Sequence, residues 1–453
     1  MINYIVFGFG LIFLVLPYLS NDKNIGFVDY FLLFCLYFDL ADVIIDSEKA
    51  SFIFTQYTIM LGFGVFYILN NFNSIRQTQG KLFTYYLIFL FISFALPIFH
   101  GTELKASIVE TTKVFASFSI LPIAFHHYAT RGNIRNLFIN ALRFTYVFVL
   151  AIIIFTIYKI DSNYELASGE IWMSSKAMGG LLYFGNIGVR GGFTYIGYLV
   201  LLFPLFFLLK LQLRHFLFIV LGFVIIIMVL SFKRFAFVIV LLGLIAYLFS
   251  TLSSFSTKIK IAISSAIVLF ILVLITNLGD LAIERYIARG GAKGVGLESI
   301  ENDIRLFEIV YAFNEIKSTP QDLLIGNKSE STLSVSSLRH SIDKWRVHNQ
   351  YAHYLLTLGF LGLSVYLLYL YNVYRVNKRR FKIINKSQLA SNINRYYWLL
   401  LSSYIFIFIT AGFIGGLDKI TIRGMVFVFI GGISGHFYKT YMSLRYSNAK
   451  NNN

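Results

Sequence analysis

One histidine in the sequence stands where a catalytic base could work. His348 and Asn349 come directly before a long apolar run, which we predict to be a helix starting at 349. A histidine at a helix N-terminus feels the positive end of the helix dipole, and this favours the neutral imidazole that a general base needs. The alternative interpretation is an interfacial polar side chain that water satisfies.

Arginines are the second group of residues that could do chemistry. Arg190 closes a polar stretch before an apolar run, and Arg234 lies in a very short turn between two such runs. Ionisable groups are costly at membrane depth, and the planar fork of arginine matches phosphate bidentately. A polyanionic ligand at a bilayer surface would explain these residues, whereas snorkelling to lipid headgroups is the alternative for any one of them. The arginines concerned are Arg190, Arg234, Arg285, Arg289, Arg305, Arg339 and Arg346.

Metal chemistry has little support in the sequence. The polar segments 160–192 and 280–348 contain no Asp-x-Asp and no His-x-x-x-His pattern. We therefore predict no metal site and disfavour a sugar-nucleotide donor held through Mg²⁺. The single cysteine, Cys35, excludes a disulfide framework and a cysteine-based metal site.

The elements that must position these residues follow from composition. The 453-residue chain is 57% hydrophobic and 13% charged, with a mean hydropathy of +0.70. Soluble domains carry roughly 25% charged residues and disordered chains are poor in apolar ones, so both classes are excluded. Repeated apolar runs of about 20 residues predict an all-α, polytopic transmembrane protein with about 12–13 spans. The candidate spans are 4–19, 25–45, 52–70, 83–99, 108–128, 143–159, 193–210, 215–231, 235–250, 259–279, 349–373, 396–416 and 424–441.

Basic residues set the predicted orientation. The segment 374–395 is rich in lysine and arginine and contains no acid, which is typical of a cytoplasmic loop. The formal charge of +17 therefore marks cytoplasmic loops and does not indicate a nucleic-acid partner. The predicted order is N-terminal spans in 1–159, a first extracytoplasmic loop in 160–192, central spans in 193–279, a large extracytoplasmic loop in 280–348, C-terminal spans in 349–441 and a cytoplasmic tail in 442–453.

The large outer loop is predicted to contain an amphipathic helix. It begins after Ser299, and Ser318-Thr319-Pro320 ends it. Apolar positions recur every three to four residues on one face, while Arg305, Glu308 and Glu315 lie on the other face. Such a helix suits a lid or a platform over a site between spans.

Together these features resemble the bacterial O-antigen polymerase (Wzy) and O-antigen ligase superfamily. The resemblance covers roughly 186–373, and its most specific part is His348-Asn349 after a long outer loop. The other motifs are Arg190-Gly191-Gly192-Phe193, the turn Ser231-Phe232-Lys233-Arg234, Asp303-Ile304-Arg305-Leu306-Phe307, Ser318-Thr319-Pro320, Leu324-Ile325-Gly326-Asn327, and Leu355 with Gly359 and Gly362.

The resemblance implies a membrane glycosyltransferase with a GT-C-like fold in the bacterial inner membrane. Its donor would be an undecaprenyl-diphosphate-linked oligosaccharide, and its active site would face the periplasm. His348 would take the proton from the acceptor hydroxyl in an inverting attack. Arg305 would act beside it, and Arg190, Arg234, Arg289 and Arg285 would bind the diphosphate as its charge develops. No metal and no soluble cofactor would be required.

Three functions stay open at this point. A polymerase would move the glycan onto a new lipid-linked repeat, and a ligase would move it onto the core sugar of lipid A. We prefer the polymerase because the high usage of Phe, Tyr, Ile and Asn resembles surface-polysaccharide gene clusters. The alternative from another class is a lipid-linked-oligosaccharide flippase, although the chain shows no paired halves. The predicted partners are the lipid-linked oligosaccharide and the bilayer, with a chain-length regulator protein as a further candidate and no nucleic acid.

Overall fold

The architecture is known for part of the chain. The computed structural model describes residues 50–101, 104–142, 304–327, 332–334, 344–346, 349–387, 391–414 and 420–451, with single positions between 26 and 35 and between 201 and 209. The N-terminal helices are α1 (Ala50–Asn70), α2 (Phe72–Gln79), α3 (Lys81–Phe99), α4 (Leu104–Phe118) and α5 (Ile120–Thr130). The later elements are α6 (Ile304–Ile316), α7 (Pro320–Ile325), β1 (Thr332–Ser334), β2 (Lys344–Arg346), α8 (Gln350–Lys386), α9 (Asn392–Ile414) and α10 (Ile420–Asn451).

The described part is mainly helical, as predicted. Helices lie at the predicted spans 52–70, 83–99, 108–128, 349–373, 396–416 and 424–441, and a break at Ser119 divides the third of these into α4 and α5. Two helices, Lys81–Phe99 and Gln350–Lys386, are long and apolar enough to cross a membrane by length and composition. The two short strands pair antiparallel, with Leu333 opposite Trp345.

Helix α8 is not one continuous rod, in contrast to the single span predicted over 349–373. Gly359 has φ 60° and ψ −163°, which breaks the helix. In an unbroken helix, positions 351 and 366 would lie about 22 Å apart along the axis. The rings of Tyr351 and Tyr366 instead have centroids 6.4 Å apart, and those of Tyr354 and Tyr366 lie 5.1 Å apart. Residues 349–358, which we call the arm, therefore fold back against the rest of α8.

Aromatic rings bury the arm within the helical bundle. The Tyr366 ring is fully buried and contacts the rings of Phe89 in α3, Phe118 in α4 and Phe408 in α9. Phe89 also contacts the Tyr354 ring of the arm at 5.7 Å. Phe89 lies ten residues before the end of α3, or about 15 Å along its axis. The start of the arm therefore lies inside the bundle and not at its surface.

The opposite end of the bundle is held by close helix packing. Gly431 and Gly435 of α10 lie one turn apart, and a Cβ at either position would meet a backbone oxygen of α5 at 2.6 or 2.3 Å. Small residues at this spacing let two helix backbones approach closely. Nearby, the Asn377 amide donates to the Ser434 hydroxyl at 2.8 Å, which ties α8 to α10.

Basic residues collect at this end. Lys439 Nζ lies 3.4 Å from the Gly132 carbonyl oxygen, and Arg395 Nε donates to Asn385 Oδ1 at 3.2 Å. Burial lowers the pKa of the Arg380 guanidinium to about 10. The Cζ atom of this guanidinium lies 4.9 Å from the centroid of the Tyr438 ring. We call this region the basic end; it comprises Arg76, Lys81, Arg131, Arg135, Arg375, Lys378, Arg379, Arg380, Lys382, Lys386, Arg395, Lys439 and Arg445.

One described acid lies among these cations. Asp29 is buried and accepts a hydrogen bond from the Tyr128 hydroxyl at 2.8 Å, and its carboxylate lies 3.0 Å from His127 Nε2. The other acids whose side chains are described, Glu308, Glu315 and Asp322, lie outside the basic end. Among the described side chains, cations therefore outnumber acids at the basic end.

Candidate functional site

The structure describes the surroundings of the predicted site more fully than the site residues themselves. Arg305 lies in the first turn of α6, and His348 is the residue directly before Asn349. The side chain of Arg305 lies outside the described residues, as do His348, Arg190, Arg234, Arg285 and Arg289. The site is therefore built here from Asn349 and from the loop residues that contact it.

Asn349 begins the arm, where the sequence predicted a helix to start. It has extended backbone angles, and its side-chain oxygen accepts hydrogen bonds from the backbone N–H groups of Tyr351 and Ala352 at 2.9 and 3.2 Å. An asparagine at this position satisfies N–H groups that have no partner within the helix. Asn349 is fully buried, so these bonds replace water that cannot reach the helix start.

Glu308 of α6 contacts the same residue. Its Oε2 atom accepts the backbone N–H of Asn349 at 2.7 Å, and its side chain is only 2% exposed. The sequence predicted Glu308 on the polar face of this helix, and that prediction is wrong. The buried face of α6 carries Glu308 together with Ala312 and Ile316, because the Glu308 carboxylate accepts the N–H of Asn349 and the apolar pair packs on the arm.

Apolar contacts continue the interface between α6 and the arm. Ala312 and Ile316 form one buried cluster with Ala352, Leu355 and Leu356. Glu308 contacts the first residue of the arm. At the other end of α6, the Asn327 side chain donates to the Glu315 carbonyl oxygen and the Asn327 backbone N–H donates to the Leu356 carbonyl oxygen. The two helices therefore run in the same direction, with both N-termini at the buried end.

Helix α7 fastens the loop to the break in α8. The break frees the carbonyl oxygen of Leu356, and the backbone N–H of Asn327 donates to it at 3.0 Å. A Cβ on Gly326 would lie 2.5 Å from that oxygen, and a Cβ on Gly359 would lie 2.4 Å from the Leu324 oxygen. Both glycines have positive φ, so side chains are excluded by conformation as well as by space.

The loop is also tied to the end of α3. The carbonyl oxygen of Ile325 accepts a hydrogen bond from His100 Nε2 at 2.9 Å, so this ring nitrogen carries a proton. Thr319 caps α7 by accepting from the Asp322 N–H at 3.0 Å, and α6 ends at Ile316, as Ser318-Thr319-Pro320 predicted. The sequence left two roles open for the loop helix, a lid or a platform. These contacts hold the loop in place and favour the platform. We call α6, α7, the arm and His100 the loop end.

The arrangement brings two predicted site positions towards each other. Arg305 lies three residues before Glu308, so the two positions share one side of α6 about one turn apart. Two covalent bonds separate the Asn349 nitrogen, which Glu308 contacts, from the Cα of His348. The two helix N-termini present positive dipole ends to this region, and the Glu308 carboxylate opposes them locally. The sequence argument for a neutral His348 considered only the dipole.

Sequence reasoning missed Glu308 and the pairing of Gly326 with Gly359. A signal for the glutamate was present: an Asn at a helix start is often accompanied by Glu or Gln three residues later, and that position is Ala352 here. The sequence placed Gly359 within the continuous span predicted over 349–373. A glycine with positive φ cannot be distinguished from a packing glycine in a single sequence.

Comparison with known proteins adds no assignment. No model of a known protein family matches the chain, and no curated protein matches it. Within the described ranges, no three His, Cys, Asp or Glu side chains are grouped so that they could hold a metal ion. The resemblance to polymerases and ligases therefore stays a prediction that rests on the motifs.

Proposed function

We propose that the protein is a polytopic membrane glycosyltransferase of GT-C type that polymerises a surface polysaccharide. It transfers an undecaprenyl-diphosphate-linked glycan onto a new lipid-linked repeat unit at the outer face of the inner membrane. The observation that best supports this proposal is the contact between Glu308 and Asn349. It brings the helix of Arg305 against the residue that follows His348.

The chemistry needs a base, an anion site and an enclosed place. His348 takes the proton from the acceptor hydroxyl as that oxygen attacks the anomeric carbon, and the bond to the diphosphate breaks with inversion. The diphosphate leaves with the bonding electrons, and its increased negative charge is stabilised by Arg305 with Arg190, Arg234, Arg285 and Arg289. The positive ends of two helix dipoles also lie near this point, and the Glu308 carboxylate offsets part of their effect.

The cations described at the basic end support the proposed orientation. Lysine and arginine dominate the basic end, which is typical of a cytoplasmic side. The loop end lies at the opposite end of α3 and α8 and would face the periplasm. The lipid-diphosphate bond supplies the energy there, so no ATP is needed in that compartment.

The function is tested by the surface-glycan profile of a deletion strain on a polysaccharide gel. Wild-type gene should restore a ladder of long chains, and His348→Ala should leave single repeats attached to the lipid core while the protein stays inserted and abundant. Bare core with long chains on the carrier lipid would indicate the ligase. Repeats trapped on the cytoplasmic face, or full rescue by His348→Ala, would favour the flippase and contradict the proposal.

A further inference from the structure

The start of the arm has a backbone group that its own helix cannot satisfy. In the usual capping box, the N–H of the first residue is accepted by a Glu or Gln three residues later. That position holds Ala352, which offers no acceptor. The carboxylate of Glu308 takes its place from another helix, at 2.7 Å from the Asn349 nitrogen.

The carboxylate stabilises the fold by accepting a buried N–H that would otherwise have no partner in its own helix. The interface between α6 and the arm already has the apolar cluster around Ala312 and Ile316, and the glycine pair fastens its far end. A buried carboxylate loses its hydration, and a well-packed apolar side chain would avoid that cost. Compared with an apolar side chain, Glu308 adds a directed bond at the buried ends of both helices.

That bond joins the two positions to which the proposed function assigns catalysis. Arg305 lies one turn before Glu308 on the same side of α6, and His348 is bonded to Asn349. Any change in the length of the contact moves one helix start relative to the other. A displacement of about 1 Å between catalytic groups can cost roughly 100-fold in rate.

We propose that Glu308 is a positioning residue: through the Asn349 N–H it holds the helix of Arg305 in register with His348. The residue touches neither donor nor acceptor in this proposal. The inference rests on the proposed function, because that function makes the spacing of Arg305 and His348 matter.

The kinetic test uses the purified full-length protein in lipid nanodiscs with a lipid-diphosphate-linked glycan as both donor and acceptor. Glu308→Ala removes the acceptor, so kcat per folded molecule should fall about 100-fold while KM stays within about threefold. Glu308→Gln keeps an oxygen at the same reach and should restore kcat to within about threefold of wild type. Glu308→Asp withdraws the carboxylate by one methylene and should lose at least about tenfold in kcat.

Each variant has a matched control on the same helix. Glu315 lies two turns further along α6, away from the start of the arm, and Glu315→Gln should leave kcat and KM unchanged. Wild-type kcat in folded Glu308→Ala would overturn the proposal, and so would a loss in Glu308→Gln as deep as that in Glu308→Ala. If Glu308→Ala does not fold, Glu308→Asp decides, because wild-type kcat with Asp would also overturn it.

A distance measurement separates this proposal from the proposed function. Nitroxide labels on Arg305→Cys and His348→Cys, in a Cys35→Ala background, report their spacing by dipolar broadening without any reaction. The distribution of distances between the two labels should be narrow with Glu308 or Glu308→Gln and broad with Glu308→Asp. Absence of glycan transfer by wild type with a narrow spacing would refute the function alone. An unchanged spacing in Glu308→Asp, with transfer by wild type, would refute the positioning role alone.

Discussion

The loop end and the basic end of the bundle are constructed from different interactions. At the loop end, short contacts involve backbone atoms. The Asn327 N–H donates to the Leu356 carbonyl oxygen, the Asn349 N–H donates to the Glu308 carboxylate, and the backbones of Gly326 and Gly359 lie close together. At the basic end, charged side chains are largely exposed around a packed interior, as shown by Arg379 and Lys382 on the outer side of α8. Hydrogen bonds to backbone atoms depend strongly on distance and angle, whereas exposed cations act through their charge.

This difference fits two separate roles, catalysis at the loop end and membrane orientation at the basic end. Catalysis requires fixed geometry, and that requirement fits the loop end. Orientation and attachment to an anionic lipid surface depend on summed charge and tolerate variation at single positions. Substitutions of the contact residues at the loop end should therefore have large effects, and substitutions of the exposed cations at the basic end should have small ones.

The largest effect is expected from Gly359→Ala. Its φ of 60° with ψ of −163° is accessible almost only to glycine, and a Cβ would overlap the Leu324 oxygen at 2.4 Å. We expect a loss of about 3 kcal/mol or more in the free energy of unfolding. The yield of monodisperse protein and its thermal midpoint in detergent measure this loss. Gly62→Ala is the control, since nothing lies within 4 Å of a Cβ there. An equal yield and thermal midpoint for the two variants would contradict the close packing of Gly359 against the Leu324 backbone.

Arg305→Lys should come next, with an effect on activity and not on folding. Lysine keeps the positive charge but loses the planar fork that binds phosphate oxygens in pairs, so glycan transfer should fall at least about tenfold. Arg379→Lys makes the same exchange at the exposed basic end and should leave transfer unchanged. Full activity of Arg305→Lys would mean that charge alone matters at this position or that the reaction occurs elsewhere.

Asn349→Ala should have an intermediate effect. It removes the side-chain oxygen that caps Tyr351 and Ala352, which is worth about 1 kcal/mol in stability. The thermal midpoint should fall by a few degrees, and Asn349→Ser should recover most of the loss because serine also caps helices. A serine variant as unstable as the alanine variant would show that capping is not what Asn349 contributes.

The smallest effect is expected from neutralising the basic end. Lys378→Gln combined with Lys382→Gln removes two exposed charges from a large set, so glycan transfer should stay within about twofold of wild type. A strong loss of transfer from the basic-end pair would mean that the two ends are not functionally distinct.

Local signals in the sequence predicted the elements but not their tertiary arrangement. The end of the loop helix at Ser318-Thr319-Pro320 and the helix start at Asn349 are confirmed, because capping and proline act within a few residues. The prediction that Glu308 lies on the polar face of its helix was wrong. Periodicity places a charged residue towards solvent and takes no account of an N–H group from a distant helix. The fold-back at Gly359 depends on contacts between Tyr351, Tyr354 and Tyr366 that no local pattern encodes.

The candidate site was predictable only as a set of residue types. The pattern of His348 after a long loop with Arg305 indicated a base and an anion ligand, and the contact of Glu308 with Asn349 now gives these two positions a physical connection. The roles of Arg190, Arg234, Arg285 and Arg289 stay predictions, because those residues lie outside the described part of the chain.

The central claim is that the loop end carries out glycan transfer with His348 as the base. The most direct measurement is transfer by purified protein in nanodiscs that contain only an undecaprenyl-diphosphate-linked repeat unit, without metal or nucleotide. Wild type should lengthen the lipid-linked glycan, while folded His348→Ala should give no longer products. Lengthening by His348→Ala at the wild-type rate would contradict the account.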